Sequence, residues 1–343
     1  MNILEAKLLR QVATPTFSAG NVVGVDIPRS YDLNSIMVEI TASLTVATAN
    51  ATGVRSYAPA QLVNNFQLIA DGSRALDQVP GILAAVGNFQ RNWMREVTPP
   101  SAATIAGSPY AIRALYQLDR ATIDSMLRPK DSALHTQAPF MSLLQLQITF
   151  GNLADIFNIG SATISGTPTV TVYVDETREF DPADANEARM VRRRSYQQAT
   201  FTASQSAYQF NLPVGNYIRA VLFYCTDTVG GVTNEPINTV LTNVILKSGA
   251  DVRLNLPFLA LRSKNAADQR LFGSATIAGL PTGFGVADLC MDAGRGFDGS
   301  KLWDLRGASE AKAEIVITSP TAATVWIAID EYVFQPGLET AKA

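Results

Sequence analysis

In segment after segment of this 343-residue chain, apolar positions alternate with polar ones. Leu144, Leu146, Ile148 and Phe150 share one face of an extended segment, with Gln145, Gln147 and Thr149 on the other. The same pattern predicts strands at Val22–Ile27, Ser35–Val46, Leu62–Ala70 and Thr169–Val174. Further strands are predicted at Tyr208–Leu212, Ile218–Thr226, Val240–Lys247, Val252–Leu256, Ala313–Thr318 and Thr324–Val333. Asp71-Gly72 marks a tight turn, and Pro and Gly separate the other runs. Antiparallel sandwiches and barrels read this way. Helical spacing is confined to insertions. Pro80 opens one helix, with Ile82, Val86, Phe89 and Trp93 three to four residues apart. Residues 111–127 are predicted to hold another, ending before Pro129. At the start, Ile3, Leu4 and Leu8 with Lys7 and Arg10 form a short amphipathic arm that needs a surface to lie on.

The strand pattern occurs twice. Ala13-Thr14 returns as Ala199-Thr200, Ile27-Pro28 as Leu212-Pro213, and Tyr31 as Tyr217. Asn64–Leu68 answers Thr242–Leu246, Gly72 answers Gly249, and Val79-Pro80 answers Leu256-Pro257. Thr171–Glu176 closes the first copy as Trp326–Glu331 closes the second. The order never changes and the spacing only shrinks, which implies a tandem duplication with longer loops in the first copy. Residues 96–138 have no counterpart in this reading and account for most of the difference. The polar stretch 181–196, with Arg192, Arg193 and Arg194, reads as the linker. A solvated linker is its plainest reading; contact with phosphate or lipid headgroups is the functional alternative.

Length permits two domains, each with its own core. Charged residues are 17% of the chain, and the net charge is -3. That balance supplies no basic field for nucleic acid, so direct sequence-specific nucleic-acid binding is not expected. Low charge with abundant Ser, Thr, Asn and Gln fits a surface hidden in partners. Cys225 and Cys290 are far apart and outside any CxxC pattern, and read as small buried hydrophobes. No basic region leads into an apolar stretch at the start, so an export signal is not expected, and no run is long enough to span a membrane.

Chemistry-bearing patterns are sparse. His135 is the single histidine, too few for the usual hydrolytic zinc site, and no GxSxG elbow accompanies it. Gly294–Gly299 satisfies GxGxxG but lacks the strand-before, helix-after frame of a dinucleotide site. Asp288, Asp292, Asp298 and Asp304 do not have EF-hand spacing. Asp175-Glu176 and Asp330-Glu331 invite a two-carboxylate glycosidase reading, yet they sit at equivalent positions of the two copies, where one repeated structural role explains both. No catalytic residue, cofactor or metal is therefore expected.

Two tandem β-units, helices in the loops and a short amphipathic arm together resemble the double jelly-roll major capsid proteins of tailless icosahedral viruses, the lineage of adenovirus hexon and of phages with an internal membrane. The segments that carry the resemblance are Thr14–Val46 with Phe201–Thr226, Leu62–Gly72 with Val240–Gly249, and the closing strands ending Asp175-Glu176 and Asp330-Glu331. The resemblance implies an all-β chain of two tandem eight-stranded antiparallel jelly rolls with a few helices in inter-strand loops. It implies a non-enzymatic shell subunit that forms pseudo-hexagonal homotrimers in a virion, with minor capsid or vertex proteins as further partners. Ile3, Leu4, Lys7, Leu8 and Arg10 would then face a membrane under the shell or a neighbouring subunit. The organisation expected is an arm at 1–11, a first jelly roll at 12–180, a linker at 181–196, a second jelly roll at 197–336 and a tail at 337–343. The alternative is a two-jelly-roll glycan hydrolase or amidase, with Asp175 or Glu331 at the domain junction.

Overall fold

The computed structural model describes residues 5–46, 58–87, 109–120, 134, 136, 141–152, 162–179, 190–268, 282–292, 296–297 and 301–334. The chain divides into two compact units, the second built mainly from Arg194–Tyr332.

The first unit contains β1 (Glu5–Ala13), β2 (Val22–Asp26), β3 (Asp32–Val46), a 3-10 turn (Ala58–Leu62), β4 (Val63–Ala70), β5 (Arg74–Pro80), α1 (Gly81–Gly87), β6 (Pro109–Asp119), β7 (Leu144–Phe150) and β8 (Ala162–Glu179). They form two antiparallel sheets, ordered β1-β8-β3-β6 and β2-β7-β4-β5. Alternation explains the core. Ile36, Val38 and Ile40 of β3 and Val170, Val172 and Val174 of β8 are buried from one sheet, and Leu144, Leu146 and Ile148 of β7 from the other. Phe66 of β4 meets Tyr116 of β6 edge-on, with ring centroids 5.0 Å apart, which joins the two layers.

The second unit repeats the plan with β9 (Met190–Phe201), β10 (Gln205–Asn211), β11 (Tyr217–Val229), β12 (Val232–Pro236), β13 (Leu241–Ser248), β14 (Asp251–Pro257), α2 (Phe258–Asp268), β15 (Phe284–Asp288), β16 (Met291–Asp292), β17 (Gly296–Phe297), β18 (Trp303–Asp304), β19 (Lys312–Ile317) and β20 (Ala323–Phe334). Its sheets run β12-β11-β20-β9, with β15 and β18 also on β11, and β10-β19-β13-β14. Each strand of the first unit has a counterpart at the same place in the second: β1 to β5 match β9, β10, β11, β13 and β14, and β6 to β8 match β15, β19 and β20. A helix follows the fifth strand in both. Each unit is therefore an eight-stranded jelly roll.

Equivalent joints use different chemistry. In the first unit, Asp71 in the β4–β5 turn accepts hydrogen bonds from the Ser142 N–H at 2.6 Å and the Ser142 hydroxyl at 2.9 Å, just before β7. In the second, the Ser248 hydroxyl at the β13–β14 turn donates to the Glu310 carbonyl at 2.8 Å, just before β19.

Four expectations are corrected. Residues 109–119, which overlap the helix expected at 111–127, are strand β6: Ile112, Ala114, Tyr116 and Leu118 are buried in alternation, and pairing with β3 from Ser35 to Thr45 overrides their helical propensity. The stretch 96–138 does have a counterpart, because β6 matches β15. The amphipathic arm, with its apolar residues at helical spacing, is from Glu5 on edge strand β1, which pairs antiparallel with β8 along one side. The expected linker also runs as strand β9 from Met190, while 181–189 lie outside the described residues.

Candidate functional site

The two copies concentrate their buried charge at one end of the strands that close them. β8 sets Asp175 opposite Ser35 of β3, and β6 sets Asp119 opposite the same Ser35. In the second unit β20 sets Asp330 opposite Ala220 of β11, and β15 sets Asp288 opposite that residue. Directly opposed residues share a sheet face, so each unit carries two aspartates flanking one small residue. The register slips beside this row in both units, between Leu33 and Ser35 and between Ile218 and Ala220. Asn34 and Arg219 occupy the slip, where a bulge re-aims side chains.

Arginines answer these acids. Arg219 lies 3.6 Å from Asp288, Arg192 4.0 Å from Asp119, and Arg120 3.3 Å from Asp77, all in buried pairs. Burial alone would lower the pKa of Arg219; the carboxylates of Asp288 and Asp330 help to outweigh it and raise it. The adjacent glutamates point into the cores and are fully buried. Arg10 grips Glu176 with two hydrogen bonds, at 2.8 and 3.2 Å, and the Asn216 amide donates to Glu331 at 2.9 Å. Sealed and partnered in this way, neither glutamate is presented to a substrate, and the repeated acids read as strand-end anchors. Among the described residues no group of three or more His, Cys, Asp or Glu side chains is placed to hold a metal ion.

The other singled-out residues resolve as follows. Leu8 is half-buried in β1, Leu9 is exposed, and Arg10 is committed to Glu176. Lys7 belongs to β1, while Ile3 and Leu4 lie outside the described residues. Arg192 and Arg194 are buried in β9, which leaves Arg193 the more accessible of the three for an external anion. Cys225 and Cys290 are buried and not joined in a disulfide, and burial pushes the Cys225 thiol up to about 12. His135 lies outside the described residues, as do four of the six residues of the GxGxxG stretch; its Gly296-Phe297 is the short strand β17, paired with β16. No helix among the described residues is long and apolar enough to cross a membrane.

The outer sheet faces carry rows of linked polar side chains. In the first unit Gln67 stands between Gln78 and Gln147. Gln147 donates to Gln145 at 3.3 Å, and Gln145 to Asp26 at 3.1 Å. In the second, Gln209 and Lys247 converge on Glu314 at 2.8 and 2.6 Å, and Asn243 donates to Asn255 at 3.0 Å. Sequence reading missed Asp119 and Arg219 as partners in the acid rows; the signal lay in Asp119 and Asp288 each ending the strand before a long connection.

No protein-family model matches the chain, and no curated protein matches it. Solved structures do. A chain in the atomic structure of Sulfolobus turreted icosahedral virus is 17% identical, with a TM-score of 0.73, covering 96% of this chain and 91% of that one. A chain of the PBCV-1 virus capsid is 13% identical, with a TM-score of 0.63, covering 98% and 97%. The major capsid protein P2 from bacteriophage PM2 is 12% identical, with a TM-score of 0.58, covering 97% and 100%. These are double jelly-roll capsid proteins, and at such identity the likeness is one of fold: this chain has the double jelly-roll fold.

Proposed function

We propose that the protein is the major subunit of a viral shell, and that three copies assemble into a tile of six jelly rolls. The observation that carries this reading is the strand-for-strand duplication, in a fold shared along nearly the whole chain with capsid structures. Duplication gives a three-fold assembly six similar sandwiches, and near-hexagonal tiles pack without gaps. The sealed glutamates support a structural role over hydrolysis. Minor shell proteins at vertices, and a membrane beneath, are further partners in this reading. Native mass spectrometry tests it. Trimers at micromolar concentration, with three-fold particles in electron micrographs, are expected; a chain that stays monomeric at every concentration overturns it.

A further inference from the structure

The chain holds two Asp-Gly steps, Asp71-Gly72 and Asp298-Gly299, and no Asn-Gly step. Asp298-Gly299 lies outside the described residues. Asp71, Gly72 and Ser73 make the β4–β5 turn, and all three are exposed. Asp71 and Gly72 both have left-handed backbones, with φ of 54° and 78°. An aspartate followed by glycine is chemically vulnerable, because glycine has no Cβ to shield its nitrogen from the preceding carboxyl. The space around this nitrogen is open: a Cβ built on Gly72 meets nothing within 4 Å. Among the described residues no group accepts a hydrogen bond from the Gly72 N–H. What restrains the pair is the carboxylate's own set of partners. Asp71 Oδ1 accepts from the Ser142 N–H at 2.6 Å, the Ser142 hydroxyl at 2.9 Å and the Leu143 N–H at 3.4 Å, while Oδ2 lies 3.2 Å from the Arg74 guanidinium. These contacts hold the carboxyl against the segment before β7 and favour its charged form. A carboxylate is a poor target for a nucleophile, since it has no hydroxyl to lose as water.

We propose that Asp71-Gly72 is a site of spontaneous aspartate isomerisation, and that Ser142 sets its rate. When the turn opens and the carboxyl takes up a proton, the Gly72 nitrogen attacks Cγ of Asp71. The new N–Cγ bond closes a succinimide ring, and the amide proton leaves with the carboxyl hydroxyl as water. Water then adds to one of the two ring carbonyls. Addition at Cγ restores aspartate. Addition at the main-chain carbonyl breaks its bond to nitrogen, so the chain now runs through Cγ as isoaspartate. One water is released and one is taken up, so composition and mass do not change. The product carries an extra methylene in the main chain and its carboxylate directly on Cα. It cannot meet Ser142 as Asp71 does, and the joint to β7 stays undone. The matching turn of the second unit has Ser248-Gly249 in place of Asp-Gly, so that joint is spared. The inference stands on the turn alone and does not depend on the shell reading.

The test ages the full chain at neutral pH and follows isoaspartate at residue 71 in digests, by fragment spectra that tell the two isomers apart and by resistance to cleavage before aspartate. Folded wild type is compared with wild type unfolded in urea and with two variants at exposed Ser142. Ser142→Ala removes the hydroxyl bond and keeps the N–H; Ser142→Thr keeps both. Thermal melting shows each variant folded; if Ser142→Ala fails, Ser142→Cys, whose thiol is a weak donor, replaces it. Isoaspartate is expected to form fastest in urea and slowest in folded wild type. Ser142→Ala is expected to form it about fivefold faster than folded wild type, and Ser142→Thr at the wild-type rate. An unfolded chain that forms none at residue 71 overturns the site. Folded wild type that isomerises as fast as the unfolded chain, or Ser142→Ala that keeps the wild-type rate, overturns the role of Ser142.

Discussion

The side-chain amide of Asn265 on α2 stands in for a peptide group opposite Val286 on β15. Its Oδ1 accepts from the Val286 N–H at 2.8 Å, and its Nδ2 donates to the Val286 carbonyl at 2.6 Å. Next to it, Arg262 donates to the Phe284 carbonyl. The helix thus covers a sheet edge that would otherwise lie open. Asn265 is buried, so Asn265→Ala leaves a buried donor and acceptor without partners. We expect a loss of about 2–4 kcal/mol, read as a lower midpoint in chemical denaturation, whereas Ser263→Ala on the exposed side of α2 stays within about 0.5 kcal/mol.

The Arg10–Glu176 pair ties β1 to β8. Arg10→Ala strands a fully buried carboxylate and is expected to cost about 3 kcal/mol. Glu176→Gln, which keeps an acceptor for the guanidinium, is expected to cost less. The double variant should fall short of the sum of the two, the mark of a direct interaction in a double-mutant cycle. Limited proteolysis should cut β1 free first in Arg10→Ala; equal protection of β1 in wild type and variant counts against the pair as its anchor.

Acid should loosen the first unit at the β4–β5 turn. The Ser142 N–H holds the Asp71 carboxyl below its ordinary value; burial opposes this, and the Ser142 hydroxyl, the Leu143 N–H and Arg74 add to it. A depressed folded pKa contributes stability above the unfolded pKa, and that contribution is lost as pH falls through the folded value. Asp71→Asn, which also tolerates the positive φ of 54°, should be less stable than wild type at pH 7, with the gap closing below about pH 4. A gap that is the same at pH 7 and pH 3 contradicts this assignment.

Two glycines with left-handed backbones should respond differently to Ala. At Gly283, φ 76°, an added Cβ collides with the Cys225 carbonyl oxygen, which is also in a backbone hydrogen bond with the Ile237 N–H at 3.1 Å. At Gly249, φ 56°, nothing lies within 4 Å. Gly249→Ala is expected to cost only the backbone conformation, about 1–2 kcal/mol, and Gly283→Ala clearly more. Thermal denaturation of the two variants separates the contributions.

Much of this architecture was legible because strands keep their spacing while loops do not. Ile27-Pro28 and Leu212-Pro213 directly follow β2 and β10, and Tyr31 and Tyr217 stand at the entry to β3 and β11. β1 was not legible, because the Leu8-Leu9 doublet breaks strict alternation and its partner β8 lies far along the chain. The burial of Arg192 was hidden for a similar reason: a run of arginines reads as solvated until Asp119 is brought 4.0 Å away by the sheet. Of the acid rows, sequence displayed the Asp-Glu pairs, but their arginine partners come from strands whose register no local pattern records.

The joint between the β4–β5 turn and the start of β7 was re-made in the other half with donor and acceptor exchanged, a carboxylate receiving in one place and a hydroxyl giving in the other. Descent has preserved a seam and let its stitching change. Grafting either turn into the opposite half therefore requires carrying both ends of the seam, since Asp71 transplanted against the Glu310 carbonyl would set two acceptors face to face where one hydroxyl now donates.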